Sequence, residues 1–230
     1  MRLLNHIQSE RGESLIGLMV GITVGLIVLS GAIAFYVNTV SSNRQIMEAR
    51  LLNQDLKATM AMMVREVRRA QFINNAEQHR FKNPCNDPFC NDASDFSFPT
   101  AHPTLANGYR IIEFSYDKNP DSLQDNDECF GFRLATGSSV VEMKTDCTPT
   151  WLQLTDPDTI QVTDLSFLVH CEPSSGSALY SRLVDISLTG RLTADATRTL
   201  TLNESVKVRS DILLSDLPKN LPSSLSYCVP

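Results

Sequence analysis

The chain has 230 residues, 42% of them hydrophobic, enough for one globular domain plus an appended segment and too few for two large domains. A net charge of −6 excludes a uniformly basic surface of the kind that collects nucleic acid by releasing counterions from phosphates. A local basic patch fits within that total, so nucleic-acid contact stays undecided at this level.

The hydrophobic content is unevenly placed. No charged residue lies between Glu13 and Arg44, and residues 15–40 read LIGLMVGITVGLIVLSGAIAFYVNTV. A helix needs roughly 20 apolar residues to cross hydrocarbon, so this run predicts one span in a lipid bilayer. It is longer than the roughly 7–15 residues of a cleavable secretory signal core, and a plain signal-anchor is the alternative. Arg2 and Arg11 precede the run and Arg44 follows it, so loop charge sets the orientation only weakly. Gly17, Gly21 and Gly25 share one helical face, where a neighbouring backbone has room to approach; common glycine usage in membrane helices is the other reading.

In front of the run stands MRLLNHIQSERG, ending in Gly12, followed by Glu13, Ser14, Leu15, Ile16, Gly17, Leu18, Met19 and Val20. This resembles the class III signal of type IV prepilins, in which a basic leader ending in glycine precedes an apolar residue, Ser or Thr, Leu, Ile or Val, Glu, Leu, Met or Leu, and Val. Gly12, Ser14, Leu15, Ile16, Leu18, Met19 and Val20 fit; Glu13 stands where the family has Phe or another apolar residue, and Gly17 where most members have glutamate. The resemblance implies cleavage by prepilin peptidase between Gly12 and Glu13, methylation of the new N-terminus, and a helix that sits in the inner membrane before assembly and in a filament core afterwards. It also implies a periplasmic head and, as partners, other minor and major pilins and an inner-membrane assembly platform. In such filaments the glutamate is taken to neutralise a neighbour's N-terminal amine, because an unpaired charge in an apolar core is expensive. A subunit with Gly17 is therefore expected at the tip, unless Glu13 supplies a substitute carboxylate.

Beyond residue 41 the helix continues, since residues 44–73 lack Gly and Pro and are rich in helix formers. Leu52, Leu56, Met60, Met63, Val67 and Ala70 recur at helical spacing and form one apolar stripe, in which the methionines read as core. A single helix of about 60 residues, roughly 90 Å long, is the simplest account. Arg65, Arg68 and Arg69, with Arg80 and Lys82, form the one basic concentration and are expected on an exposed strip facing acidic surfaces of neighbouring subunits, or else DNA. The organisation expected is a leader over 1–12, a membrane and filament-core half over 13–40, an amphipathic half over 41–73 and a β-rich head over 74–230.

Residues 74–108 read as loop, with Pro84, Pro88, Pro99 and Pro103. Alternating patterns then predict strands over 110–116, 129–135, 140–144, 151–154, 160–170, 183–189 and 205–213, separated by turn signals such as Thr136-Gly137 and Asp156-Pro157. The fold class is α+β, a long N-terminal helix packed on a mainly antiparallel β head. Residues 183–214 resemble the closing strands of PilW-type minor pilins and of J-type pseudopilins of type II secretion: an apolar strand, a short Thr-rich excursion, then Val206-Lys207-Val208-Arg209. Val162-Thr163-Asp164-Leu165-Ser166-Phe167 is similar to the same family.

Six cysteines, Cys85, Cys90, Cys129, Cys147, Cys171 and Cys228, lie outside the apolar run. The oxidising periplasm that the anchor implies would keep them paired. The local pairs Cys85–Cys90 and Cys129–Cys147 are favoured, leaving Cys171 to Cys228, although spacing alone leaves the connectivity open. No Cys/His set has zinc spacing, no catalytic motif is present, and His6, His79, His102 and His170 are scattered, so no metal, cofactor or enzyme activity is expected. Asp117, Asp121, Asp125, Asp127 and Glu128 read as a solvated acidic loop, with calcium as the alternative although no EF-hand spacing is present. The function expected is that of a minor pilin that helps initiate or cap a type IV pilus, supporting twitching, adhesion or DNA uptake. The alternatives are a type II secretion pseudopilin and a membrane-anchored periplasmic enzyme or binding protein.

Overall fold

The computed structural model describes residues 15–74, 96, 104–105, 108–173 and 179–213. The leader with Glu13 and Ser14, Arg80, Lys82, His6, His79, His102, Cys85, Cys90 and Cys228 lie outside the described residues. Among the described residues one helix, α1 (Leu15–Val67), precedes ten strands: β1 (Thr104–Leu105), β2 (Gly108–Tyr109), β3 (Ile111–Ser115), β4 (Cys129–Leu134), β5 (Val141–Lys144), β6 (Leu152–Gln153), β7 (Ile160–Pro173), β8 (Leu179–Leu192), β9 (Thr199–Lys207) and β10 (Ile212–Leu213). The chain divides into two units, Met1–Glu48 and Ala49–Pro230. In the first, every residue from 15 to 47 is helical and exposed.

In the second unit two antiparallel sheets form, one in the order β1-β2-β7-β8-β10 with β9 also on β8, the other β3-β4-β5-β6. The expected stripe of α1 is the core contact: Leu52, Leu56, Met60, Met63 and Val67 are all buried, with Ala70 just beyond the helix. They meet alternating residues of β7 and β8, where Leu165 faces Leu188, Phe167 faces Ile186 and Val169 faces Val184 across the ladder. A register shift between Val162 and Asp164 lets Ile160 and Val162 share the buried face with Leu165, Phe167 and Val169, because one extra residue flips the side-chain parity. The helix packs tightly at Gly190 of β8, where a Cβ would lie 2.9 Å from Leu56 Cδ2. Gly108 opens β2 at φ +139°, and a Cβ there would sit 2.6 Å from the Phe167 carbonyl oxygen, so only glycine lets the chain cross onto β7 at this point.

Three expectations need correction. The helix stops at Val67 rather than 73, because Arg69, Ala70 and Phe72 take up tight three-residue bonds and Gln71 adopts φ 56°. The freed carbonyls go to tertiary partners: the Arg209 amide donates to Arg68 O at 3.0 Å and the Ser210 hydroxyl to Gln71 O at 2.9 Å. The single closing strand over 205–213 is instead β9 and β10, and the Thr-rich excursion is itself the first half of β9. Finally, β1 and β2 begin within the stretch read as loop.

Candidate membrane helix and head surface

In the first unit Leu15, Ile16, Leu18, Met19 and Val20 lie on α1 with more than half of their surface exposed. Gly17, Gly21 and Gly25 have nothing within 4 Å of a hypothetical Cβ, so their shared face is open. Three hydroxyls along this stretch are satisfied by their own helix: Thr23 Oγ1 donates to Val20 O at 2.9 Å, Ser30 Oγ to Ile27 O at 2.8 Å and Thr39 Oγ1 to Phe35 O at 2.9 Å. A helix that closes its own hydrogen bonds and shows apolar groups all round suits hydrocarbon, where no water is present to satisfy them. It is long and apolar enough to cross a membrane and fits a single-pass anchor.

At the C-terminal end of α1 the structure reveals a polar cluster that the sequence did not announce. Glu66, buried, accepts from the Tyr116 hydroxyl at 2.6 Å and from Arg65 Nε at 2.8 Å, with Arg69 Nη1 3.6 Å away. Arg69 also donates to the Tyr116 hydroxyl at 3.2 Å and lies over that ring, which stacks on Phe130 at 4.2 Å. Arg65, Arg68 and Arg69 are all exposed, as a basic strip on the open side of the helix requires, while Arg65 and Arg69 also hold Glu66 and Tyr116 of their own chain. Burial, then the Glu66 carboxylate, holds the Tyr116 phenol far above its ordinary value. Because the folded-state value is raised, this contribution is complete below about pH 10 and fades as pH rises further, when unfolded tyrosine ionises and Tyr116 does not. Stability measured across alkaline pH should therefore decline, and Tyr116→Phe should flatten that decline; an unchanged slope would show that the phenol is not held this way.

The acidic loop is a self-bonded scaffold. Asp117 Oδ2 accepts from the amides of Asn74 at 3.0 Å and Ser122 at 3.1 Å, while Glu128 accepts from Lys118 at 2.6 Å and Asp125 at 2.9 Å. Both carboxylates are buried. Asp121 and Asp125 accept from Asn119 Nδ2, and Asp127 pairs with Lys118. Most of the oxygens considered for calcium already accept from donors of the chain, Asp117 Oδ1 being buried without a hydrogen-bond partner, and among the described residues no group of three His, Cys, Asp or Glu is placed to hold a metal ion. Just after the loop, the Cys129–Cys147 disulfide joins the start of β4 to the residues after β5, as expected. With a sequence separation of 18, such a link contributes about 3 kcal/mol in the chain-entropy account. Cys171 is also disulfide-bonded, and its partner lies outside the described residues. His170 Nδ1 stands 3.5 Å from Asp185 Oδ2 on the exposed side of β7 and β8, a cross-strand pair far from the acidic loop in sequence.

The family model of prepilin peptidase-dependent protein B matches residues 45–208, which take in the second half of α1 and every strand from β1 to β9. The chain belongs to this family. It is therefore a pilin-related protein, with a helix-and-sheet head that coincides with the matched span. No curated protein and no solved structure matches the chain.

Proposed function

We propose that this member of the family is a PilW-type minor pilin, cut by prepilin peptidase between Gly12 and Glu13. It is held in the inner membrane by the helix over 13–40 with its head in the periplasm, and is placed at the tip of a type IV pilus. There it takes part in initiating or capping assembly among other minor and major pilins, by contact rather than by catalysis, in support of twitching, adhesion or DNA uptake. The observation that carries this reading is the division of α1: every residue from 15 to 47 is exposed and the stretch 15–37 is almost wholly apolar, whereas Leu52, Leu56, Met60, Met63 and Val67 are buried in a disulfide-bonded head. The open face at Gly17 supports the tip position, because no carboxylate stands there to meet a neighbour's amine. The similarity of residues 183–214 to J-type pseudopilins makes a secretion filament the second reading. Labelling the head in sheared filaments tests the proposal: signal at one end is expected, regular labelling along the shaft overturns the tip placement, and absence from pili favours the secretion reading.

A further inference from the structure

Among the described residues, the strands that end the two sheets are mostly short, as natural edges usually are. β1, β6 and β10 have 2 residues each. β3 is buried, and its Ser115 carbonyl accepts from the Gln71 amide at 2.8 Å. β9 differs: it has 9 residues, contains no proline, and follows β8 without a break from Thr199 to Lys207. Thr199, Thr201, Asn203, Glu204, Ser205 and Lys207 are all exposed.

The direction in which its backbone points can be read from two contacts. The Val208 amide donates to the Arg182 carbonyl at 2.9 Å, and the hydroxyls of the opposed residues Thr201 and Thr189 lie 2.9 Å apart. Antiparallel pairs alternate between hydrogen-bonded and non-hydrogen-bonded positions. The even-numbered residues of β9 therefore bond to β8, and the N–H and C=O groups of Thr199, Thr201, Asn203 and Ser205 point away from it. Leu200 and Leu202, on the alternate face, are only partly covered where they meet the core.

The sequence about Thr201 is self-complementary when run against itself: Leu200 falls opposite Leu202, Thr199 opposite Asn203, and Arg198 opposite Glu204. We propose that β9 is a homotypic docking edge, at which two copies of this chain pair antiparallel with a two-fold axis at Thr201 and so join their sheets. The outward groups of Thr201 supply the hydrogen-bonded pair that this symmetry requires, since an isologous contact places the same residue on both sides of the axis. Leu200 and Leu202 of the two copies cover one another, continuing the core layer across the junction. The matched leucines and the outward backbone groups set the register, because a slip of one residue would break both matches at once; Arg198 is held by Asp195 at 3.1 Å in its own chain and is not needed for it.

The test uses the full-length protein in membranes, with Thr199→Cys, Thr201→Cys and Asn203→Cys made singly and exposed to a mild oxidant. Across the axis the two Thr201 Cα atoms would stand about 5.5 Å apart, inside the range that disulfides accept, whereas two copies of Thr199 would be about 14 Å apart. Thr201→Cys is expected to give at least ten-fold more band at twice the monomer mass than either flanking variant, and the double variant Thr199→Cys/Asn203→Cys should restore it. Thr201→Pro removes an outward amide without touching the β8 ladder and should abolish dimer with Tm unchanged. Should that variant unfold, the cysteine series decides alone. No dimer with Thr201→Cys, equal yield at all three positions, or cross-linking only to a protein of different mass overturns the proposal.

Discussion

Gly12→Ala is expected to leave the chain uncut, with the mass of the full 230 residues recovered from membranes. Glycine allows the backbone before the scissile bond to approach an enzyme where a Cβ would intervene. In the wild type, loss of Arg2, Glu10 and Arg11 takes the net charge from −6 to −7, so intact mass and isoelectric shift report the same event independently. Because the apolar run begins at Leu15, the substitution lies outside it, and the uncut protein should stay membrane-bound while being excluded from filaments. A wild-type N-terminus at Met1 in a peptidase-positive cell would sink the prepilin reading, as would a variant cut at the normal rate.

Leu56→Ala should be the most damaging single truncation in the head. Leu56 is 0% exposed and wedged against Gly190, where the sheet has no side chain of its own to relax into the space. Truncations of this kind cost about 3–5 kcal/mol through lost burial and residual cavity. Against a domain stability of about 5–15 kcal/mol, that change should move the denaturation midpoint far down. Leu51→Ala, one residue round from the stripe at 42% exposure, should change stability by no more than about 0.5 kcal/mol. If the two variants unfold alike, α1 is not seated on β8 through this stripe.

The parts of the fold that show a period were legible. The stripe from Leu52 to Val67 repeats at helical spacing, and β3 to β8 alternate or run apolar between turn signals, so their positions could be read within a few residues. The end of α1 could not, because residues 68–73 are compatible with helix and the stop comes from Ser115, Arg209 and Ser210, all distant in sequence. β9 escaped for a different reason: threonine, asparagine and glutamate look like turn residues, and only Leu200 and Leu202 mark the inward face. The buried cluster around Glu66 escaped too, since the phenol that holds it lies 50 positions away at Tyr116. Proximity favoured the pairing of Cys129 with Cys147 without fixing it; the β4–β5 hairpin between them is what brings the two sulfurs together.

Trp151, the single tryptophan, lies under the Arg133 guanidinium at 4.3 Å with Lys144 Nζ 6.0 Å from its ring centre. Both cations stand on β4 and β5, so the indole emission of this protein is a private signal from the disulfide-closed sheet. Helical ellipticity, by contrast, is dominated by α1. Coincident melting curves from the two probes would mean that the small sheet and the helix give way as one cooperative body, whereas a gap between them would measure how far the disulfide-closed layer outlasts the rest.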